Sequence, residues 1–158
     1  MENKKLLFIS STGGHLSELM QLKILFKKYN YYIVTEKTKS DESLKTDYKN
    51  KISFLAYGTK KNPFTYFFIY FFNIIKSLTI FLKQRPDIVI TTGTHTAVPM
   101  CYIAKIFKKK VIYIETFANR SSKTLAGKVV YPIADVFVVQ WPEMVKLYPK
   151  AEYWGWIY

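Results

Sequence analysis

Short runs of consecutive apolar residues alternate along this chain with longer stretches in which apolar positions return every three or four residues. Residues 5–10, Lys-Leu-Leu-Phe-Ile-Ser, form the first run, and runs of the same kind recur at 31–35, 52–57, 87–91, 110–114 and 136–139. A run that is apolar throughout and closes on small polar residues predicts a strand buried on both faces, as in a parallel sheet. Between the runs, Leu16, Leu19, Met20, Leu22 and Phe26 predict a helix over 15–28, and further helices are predicted over 64–82, 97–107 and 124–133. Pro99 falls in the first turn of its helix, where a missing N–H is tolerated. Residues 36–50 are polar and predict an exposed, mobile loop with a short helix, and the aromatic tail 141–158 shows no clear period. Strands alternating with helices predict βαβ units, and so an α/β fold with a Rossmann-like parallel sheet flanked by helices, a single domain over 1–158.

The helix over 64–82 departs from the ordinary pattern. Phe64, Phe67, Phe68, Phe71, Phe72, Ile75, Leu78 and Leu82 share one face, which alone would be ordinary core, but Ile69, Tyr70, Ile74, Ile80 and Phe81 lie elsewhere around it. A helix apolar nearly all round is wholly buried, or touches lipid or a partner. Its length barely reaches a membrane span, it contains Asn73, Lys76 and Ser77, and spanning would tear the third strand from the fourth. The expectation is therefore a helix packed on the sheet that dips Phe67, Phe68, Phe71 and Phe72 into the membrane interface, with Lys60 and Lys61 near anionic headgroups. A simple core helix with tyrosines at its rim is the alternative.

The 158 residues carry 24 Lys+Arg against 11 Asp+Glu, a formal charge of +13. Nucleic acid, anionic lipid, a phosphorylated substrate or a merely solvated basic face would each account for it. The aromatic run lacks interleaved Arg and no nucleic-acid motif is present, so no nucleic-acid partner is expected. Cys101 is the one cysteine, set among apolar residues, which predicts a buried thiol, no internal disulfide and a reducing cytoplasm. The N-terminus runs straight into the first strand, so no signal peptide is expected.

Two glycine turns follow strands: Ser11-Thr12-Gly13-Gly14-His15 after the first, and Gly93-Thr94-His95 after the fourth. In an open parallel sheet, ligands sit beyond the carboxyl ends of the strands, and the helix start after such a turn offers free N–H groups to phosphate. Neither turn completes a P-loop or a dinucleotide fingerprint. The two histidines of the chain, His15 and His95, each follow one of these turns. His15 is a candidate general base or a solvent-facing helix residue. Glu115 closes the fifth strand, placed to bind sugar hydroxyls or orient a base, or else is a solvated loop glutamate. Asn119, Arg120, Ser121 and Ser122 form a polar loop that binds hydroxyls or phosphate, or caps the next helix. No metal cluster is visible, and no cofactor is expected.

Taken in order, Ser-Ser-Thr-Gly-Gly-His-Leu at 10–16, Thr-Thr-Gly-Thr-His-Thr-Ala-Val-Pro at 91–99 and Ile-Glu-Thr-Phe-Ala-Asn-Arg at 114–120 resemble a glycosyltransferase family across nearly the whole chain. The resemblance is to the acceptor-side subunit of the two-subunit dolichol-linked N-acetylglucosaminyltransferase, more closely to its bacterial capsule and exopolysaccharide counterparts of the PssD/CpsF type, and to the N-terminal half of MurG. It implies half of a GT-B fold that faces a polyprenyl-diphosphate-linked sugar at the cytoplasmic face of the cell membrane, peripherally bound. It also implies a heterodimer, with a separate donor-binding subunit bringing the UDP-sugar. Carried over by position, Ser11, Thr12, Gly13, Gly14 and His15 match the first acceptor loop. Gly93, Thr94 and His95 match the second, and Glu115, Asn119 and Arg120 the region after the fifth strand, with His15 and Glu115 as the catalytic candidates. MurG has a richer first glycine loop, and the eukaryotic subunit an N-terminal anchor not expected here. A non-catalytic membrane scaffold that stimulates the transferase is the alternative role.

Overall fold

The computed structural model describes residues 4–39, 42–58 and 63–157. Strands β1 (Lys5–Ile9), β2 (Asn30–Glu36), β3 (Ile52–Leu55), β4 (Ile88–Thr91), β5 (Lys110–Ile114), β6 (Val136–Val139) and β7 (Glu152–Tyr153) form one sheet. Its order is β3-β2-β1-β4-β5-β6-β7, with every pair parallel. Helices α1 (Gly14–Gln21), α2 (Glu42–Tyr48), α3 (Pro63–Gln84), α4 (Val98–Ile106), α5 (Leu125–Val130) and α6 (Pro142–Leu147) make the crossovers. The Rossmann-like arrangement predicted from the apolar runs is thus present, with a switch point between β1 and β4, where chain progression reverses direction across the sheet.

Alternate residues of each strand feed two cores. Leu7, Ile9, Val34, Val89, Val111 and Phe137 pack with Phe81 of α3, Met100 and Cys101 of α4 and Val130 of α5. Leu6, Phe8, Ile90, Ile114 and Val138 pack with Leu19 of α1 and the half-buried Leu22, Leu25 and Phe26. Burial on both faces explains why these strands read as unbroken apolar runs.

Three elements differ from expectation. The first helix stops at Gln21 and continues as a 3₁₀ turn, Leu22–Lys27. The tighter winding lines residues three apart along one edge, which lays Leu22 and Leu25 against the sheet. The tail is more regular than its pattern suggests: α6 opens with Pro142 at its first turn, buries Met144 and leads to β7 beside β6. An element of six residues and one of two are too short to show a period. Glu36 closes β2 as a buried residue instead of opening an exposed loop.

Helix α3 ends where Arg85 takes a left-handed conformation (φ 49°) and Pro86 bars continuation. Its buried side holds Asn73, Ser77, Ile80 and Phe81, and the Asn73 amide pairs with both the N–H and the C=O of Ala56 just after β3. The opposite face, Phe64, Phe67, Phe68, Phe71, Phe72, Ile75, Leu78 and Leu82, is exposed. The stripe that alone would pass for core is therefore turned outward.

Candidate functional site

The two glycine turns lie on adjacent strands at the switch point and touch. The Ser11 N–H donates to the Gly93 carbonyl (3.3 Å). The Thr92 hydroxyl donates to the His15 carbonyl (2.7 Å), and His15 Nδ1 lies 2.8 Å from the Thr92 carbonyl. Gly93 permits this approach: its φ is +97°, and a Cβ there would stand 3.2 Å from the Tyr113 hydroxyl and 3.5 Å from His15 Nδ1. Gly13, at the N-cap of α1, has no side chain to bond the first amides of the helix.

The bond to Thr92 settles the chemistry of the His15 ring. A carbonyl only accepts, so Nδ1 carries the hydrogen and Nε2 holds the free lone pair. The side chain is 25% exposed, and Glu18 Oε2 lies 4.0 Å from Nδ1. The ring is thus held by a carbonyl on its Nδ1 side, with the Glu18 carboxylate nearby.

Glu36 ties both turns together, and the sequence reading passed over it. Its side chain is 3% exposed; it accepts from the Thr12 N–H (3.4 Å) and the Thr96 hydroxyl, and lies 3.8 Å from His95 Nε2. Thr94 Oγ1 is 3.3 Å from His95 Nδ1, and the His95 ring packs at 5.6 Å on Tyr66 of α3. The available signal was position: Glu36 ends a strand adjacent to β1 on the edge where the glycine turns sit.

Glu18 is a second residue missed. From α1 it accepts from the Thr116 hydroxyl (2.8 Å) and the Phe117 N–H (3.1 Å), which brings the loop after β5 to the first turn. Glu115 is 1% exposed. It accepts from Tyr148 (2.8 Å) and from Thr124 (2.9 Å), the residue that caps α5 by accepting from the Gly127 N–H. A Cβ at Gly127 would collide with the Glu115 carboxylate and with the Tyr148 and Thr124 hydroxyls, so a larger residue there would have to displace these bonded groups. Burial pushes the Glu115 carboxyl above its ordinary range, partly opposed by the hydrogen bonds from Tyr148 and Thr124. Its two oxygens are thus engaged inside the fold.

The structure therefore gathers Ser11, Thr12, Gly13, Gly14, His15, Gly93, Thr94 and His95 into one cluster. Asn119 and Arg120 lie in the loop after β5 that Glu18 ties to the first turn: Asn119 accepts from Ser122 (2.9 Å), and the Arg120 guanidinium lies 4.3 Å over the Trp141 ring. Phe67, Phe68, Phe71 and Phe72 stand on the exposed face of α3, each more than half exposed. Lys60 and Lys61 lie outside the described residues. Among the described residues no cluster of three or more His, Cys, Asp or Glu side chains is placed to hold a metal ion.

Comparison with known proteins bears on the family and the fold. The family model described as "Oligosaccharide biosynthesis protein Alg14 like" matches residues 6–157. The UDP-N-acetylglucosamine transferase subunit alg14 of Schizosaccharomyces pombe is 28% identical, over 96% of this chain and 82% of its own length. The mouse subunit ALG14 is 25% identical, over 98% of this chain and 83% of its own. Among solved structures, MurG of Acinetobacter baumannii superposes with a TM-score of 0.70 at 15% identity, over 89% of this chain and 42% of that one. The UDP-N-acetylglucosamine 2-epimerase of Rickettsia bellii gives 0.73 at 17% identity, over 98% of this chain and 45% of that one. The chain thus spans less than half of these structural neighbours, which share its fold.

Proposed function

The chain belongs to the family of Alg14-like oligosaccharide biosynthesis proteins, and from that premise we propose that it is the acceptor-side subunit of a membrane-associated glycosyltransferase. It holds a polyprenyl-diphosphate-linked sugar, while a separate donor-binding subunit brings the UDP-sugar and completes a heterodimer. The observation that carries this reading is the contact of the two glycine turns around His15 at the switch point. Helix-start amides and glycine backbone suit a diphosphate, and the imidazole beside them suits an acceptor hydroxyl.

In this reading Nε2 of His15 takes the proton of the acceptor hydroxyl as that oxygen attacks the anomeric carbon of the donor sugar. The bond from that carbon to UDP breaks, and UDP leaves with the bonding pair on the partner's side. Glu18 offsets the positive charge that His15 then carries. Glu36 holds the two turns in register, and Glu115 fixes the loop after β5 to α5 and α6, positioning the site without touching the reacting atoms. Asn119 and Arg120 bind acceptor groups at the rim of the site.

The exposed phenylalanines of α3, with the charge of +13, support a peripheral seat on an anionic membrane at its cytoplasmic face. The resemblance to the PssD/CpsF type supports capsular or exopolysaccharide repeat units as the product. One observation favours a second reading, a non-catalytic scaffold: the Glu115 carboxylate is enclosed by the fold.

The test is reconstitution. Purified chain is mixed with its donor-binding partner, UDP-N-acetylglucosamine and membranes that carry lipid-linked acceptor. Transfer is expected only when both polypeptides are present, and full activity of either alone contradicts the subunit reading. Undiminished turnover of the His15→Ala complex would establish the scaffold instead.

A further inference from the structure

Next to the loop cluster lies an apolar groove of about 220 Å³, lined by Tyr66, Tyr70, His95, Val98, Leu125 and Val129. One end is His95, held by contacts to Glu36, Thr94 and Tyr66. The other opens at Leu125 and Val129 of α5, which are 69% and 44% exposed. Helix α4 packs against both α3 and α5, and the Tyr102 hydroxyl donates to the Val129 carbonyl (3.1 Å). Tyr102 and Ile106 of α4 are exposed apolar side chains on the same helical layer. His95, which Glu36 links to the polar loops, and Tyr66 of α3 thus line the groove together.

We propose that this groove seats the first isoprene units of the acceptor's prenyl chain, next to the diphosphate held by the glycine turns. The proposal rests on the acceptor-subunit reading and adds to it a subsite that recognises the lipid itself. The lining argues for this occupant. Apart from the phenol and imidazole groups it is hydrocarbon, which favours an apolar occupant. A prenyl diphosphate joins an anionic head to a thin branched chain, as the groove adjoins the polar loops at His95. Burial raises both Tyr66 and Tyr70 above the ordinary phenol value, so both lining phenols stay neutral.

The test is calorimetric titration of the full chain in detergent-free buffer with geranyl diphosphate, inorganic diphosphate and octyl phosphate. Geranyl diphosphate is expected to bind at least tenfold tighter than inorganic diphosphate. Leu125→Gln with Val129→Gln, both at exposed positions that leave the core intact, is expected to abolish most of that difference while leaving inorganic diphosphate unchanged. Equal affinity for the two diphosphates, or an advantage that survives the double substitution, overturns the groove while leaving the diphosphate cradle standing. The same gain with octyl phosphate assigns the groove to bulk membrane lipid and overturns the prenyl proposal. Binding of neither diphosphate removes the cradle itself, and the acceptor-subunit reading with it.

Discussion

At the scale of single residues, the candidate site is a set of carboxylates and two imidazoles, each fixed by a nameable contact. His15 is directed by the Thr92 carbonyl, which leaves Nε2 for the base role proposed above. General-base catalysis contributes typically about 10²–10⁴-fold. His15→Gln in the reconstituted complex is expected to lower kcat within that range with little change in KM, measured by steady-state transfer from UDP-N-acetylglucosamine. Glu115 makes a different prediction. Its folded carboxyl binds a proton more tightly than the unfolded one, whose ordinary value is 4.5. The stability this provides is present at and below that value and is lost as pH rises through the raised folded value. Urea unfolding from pH 4.5 upward is expected to show a decline in wild type that Glu115→Gln flattens. His15, Gly93 and Glu115 were legible in sequence because each follows a strand beside a turn. Glu36 and Glu18 were not, because a single strand-end or helix glutamate gives no local sign of burial; only the packing of loops from other strands encloses it.

At the scale of elements, α3 is the most informative. Its sequence is apolar nearly all round, and only packing decides which side faces the sheet. Asn73, by bonding both the N–H and the C=O of Ala56, sets the rotation, and with it turns the phenylalanines outward. If those rings enter the bilayer interface, even about 1 kcal/mol apiece, below the usual range for burying a Phe side chain, sums to ~4 kcal/mol for four. Replacing Phe67, Phe68, Phe71 and Phe72 together by Ser is expected to weaken sedimentation with anionic vesicles at least a hundredfold while leaving the circular dichroism spectrum unchanged. Unchanged vesicle binding would assign that face to a protein partner. The strands were readable as apolar runs because a parallel sheet is covered on both sides, whereas α6 and β7 were too short for any period to register.

At the scale of the whole molecule, strand order is what unites the chemistry. The two glycine turns are about 80 residues apart in the chain, yet the order β3-β2-β1-β4-β5-β6-β7 makes their strands neighbours. The sequence supplied both turns and the parallel class of the sheet; their adjacency comes from the crossover through α3, which no local pattern encodes. Cys101, predicted buried, is fully enclosed in the larger core, and burial pushes its thiol up to about 12. It is expected to stay unreactive to Ellman's reagent in the native chain and to titrate as one thiol per chain in denaturant.

The central claim is that the turns around His15 and Gly93 together form the acceptor cradle. Hydrogen exchange read by mass spectrometry, on the chain with its donor-binding partner and with or without a polyprenyl-diphosphate-linked sugar, measures this directly. The account predicts added protection in residues 11–16 and 92–96 together when the acceptor is present. Protection confined to one turn, or to neither while the acceptor is demonstrably bound, would contradict it.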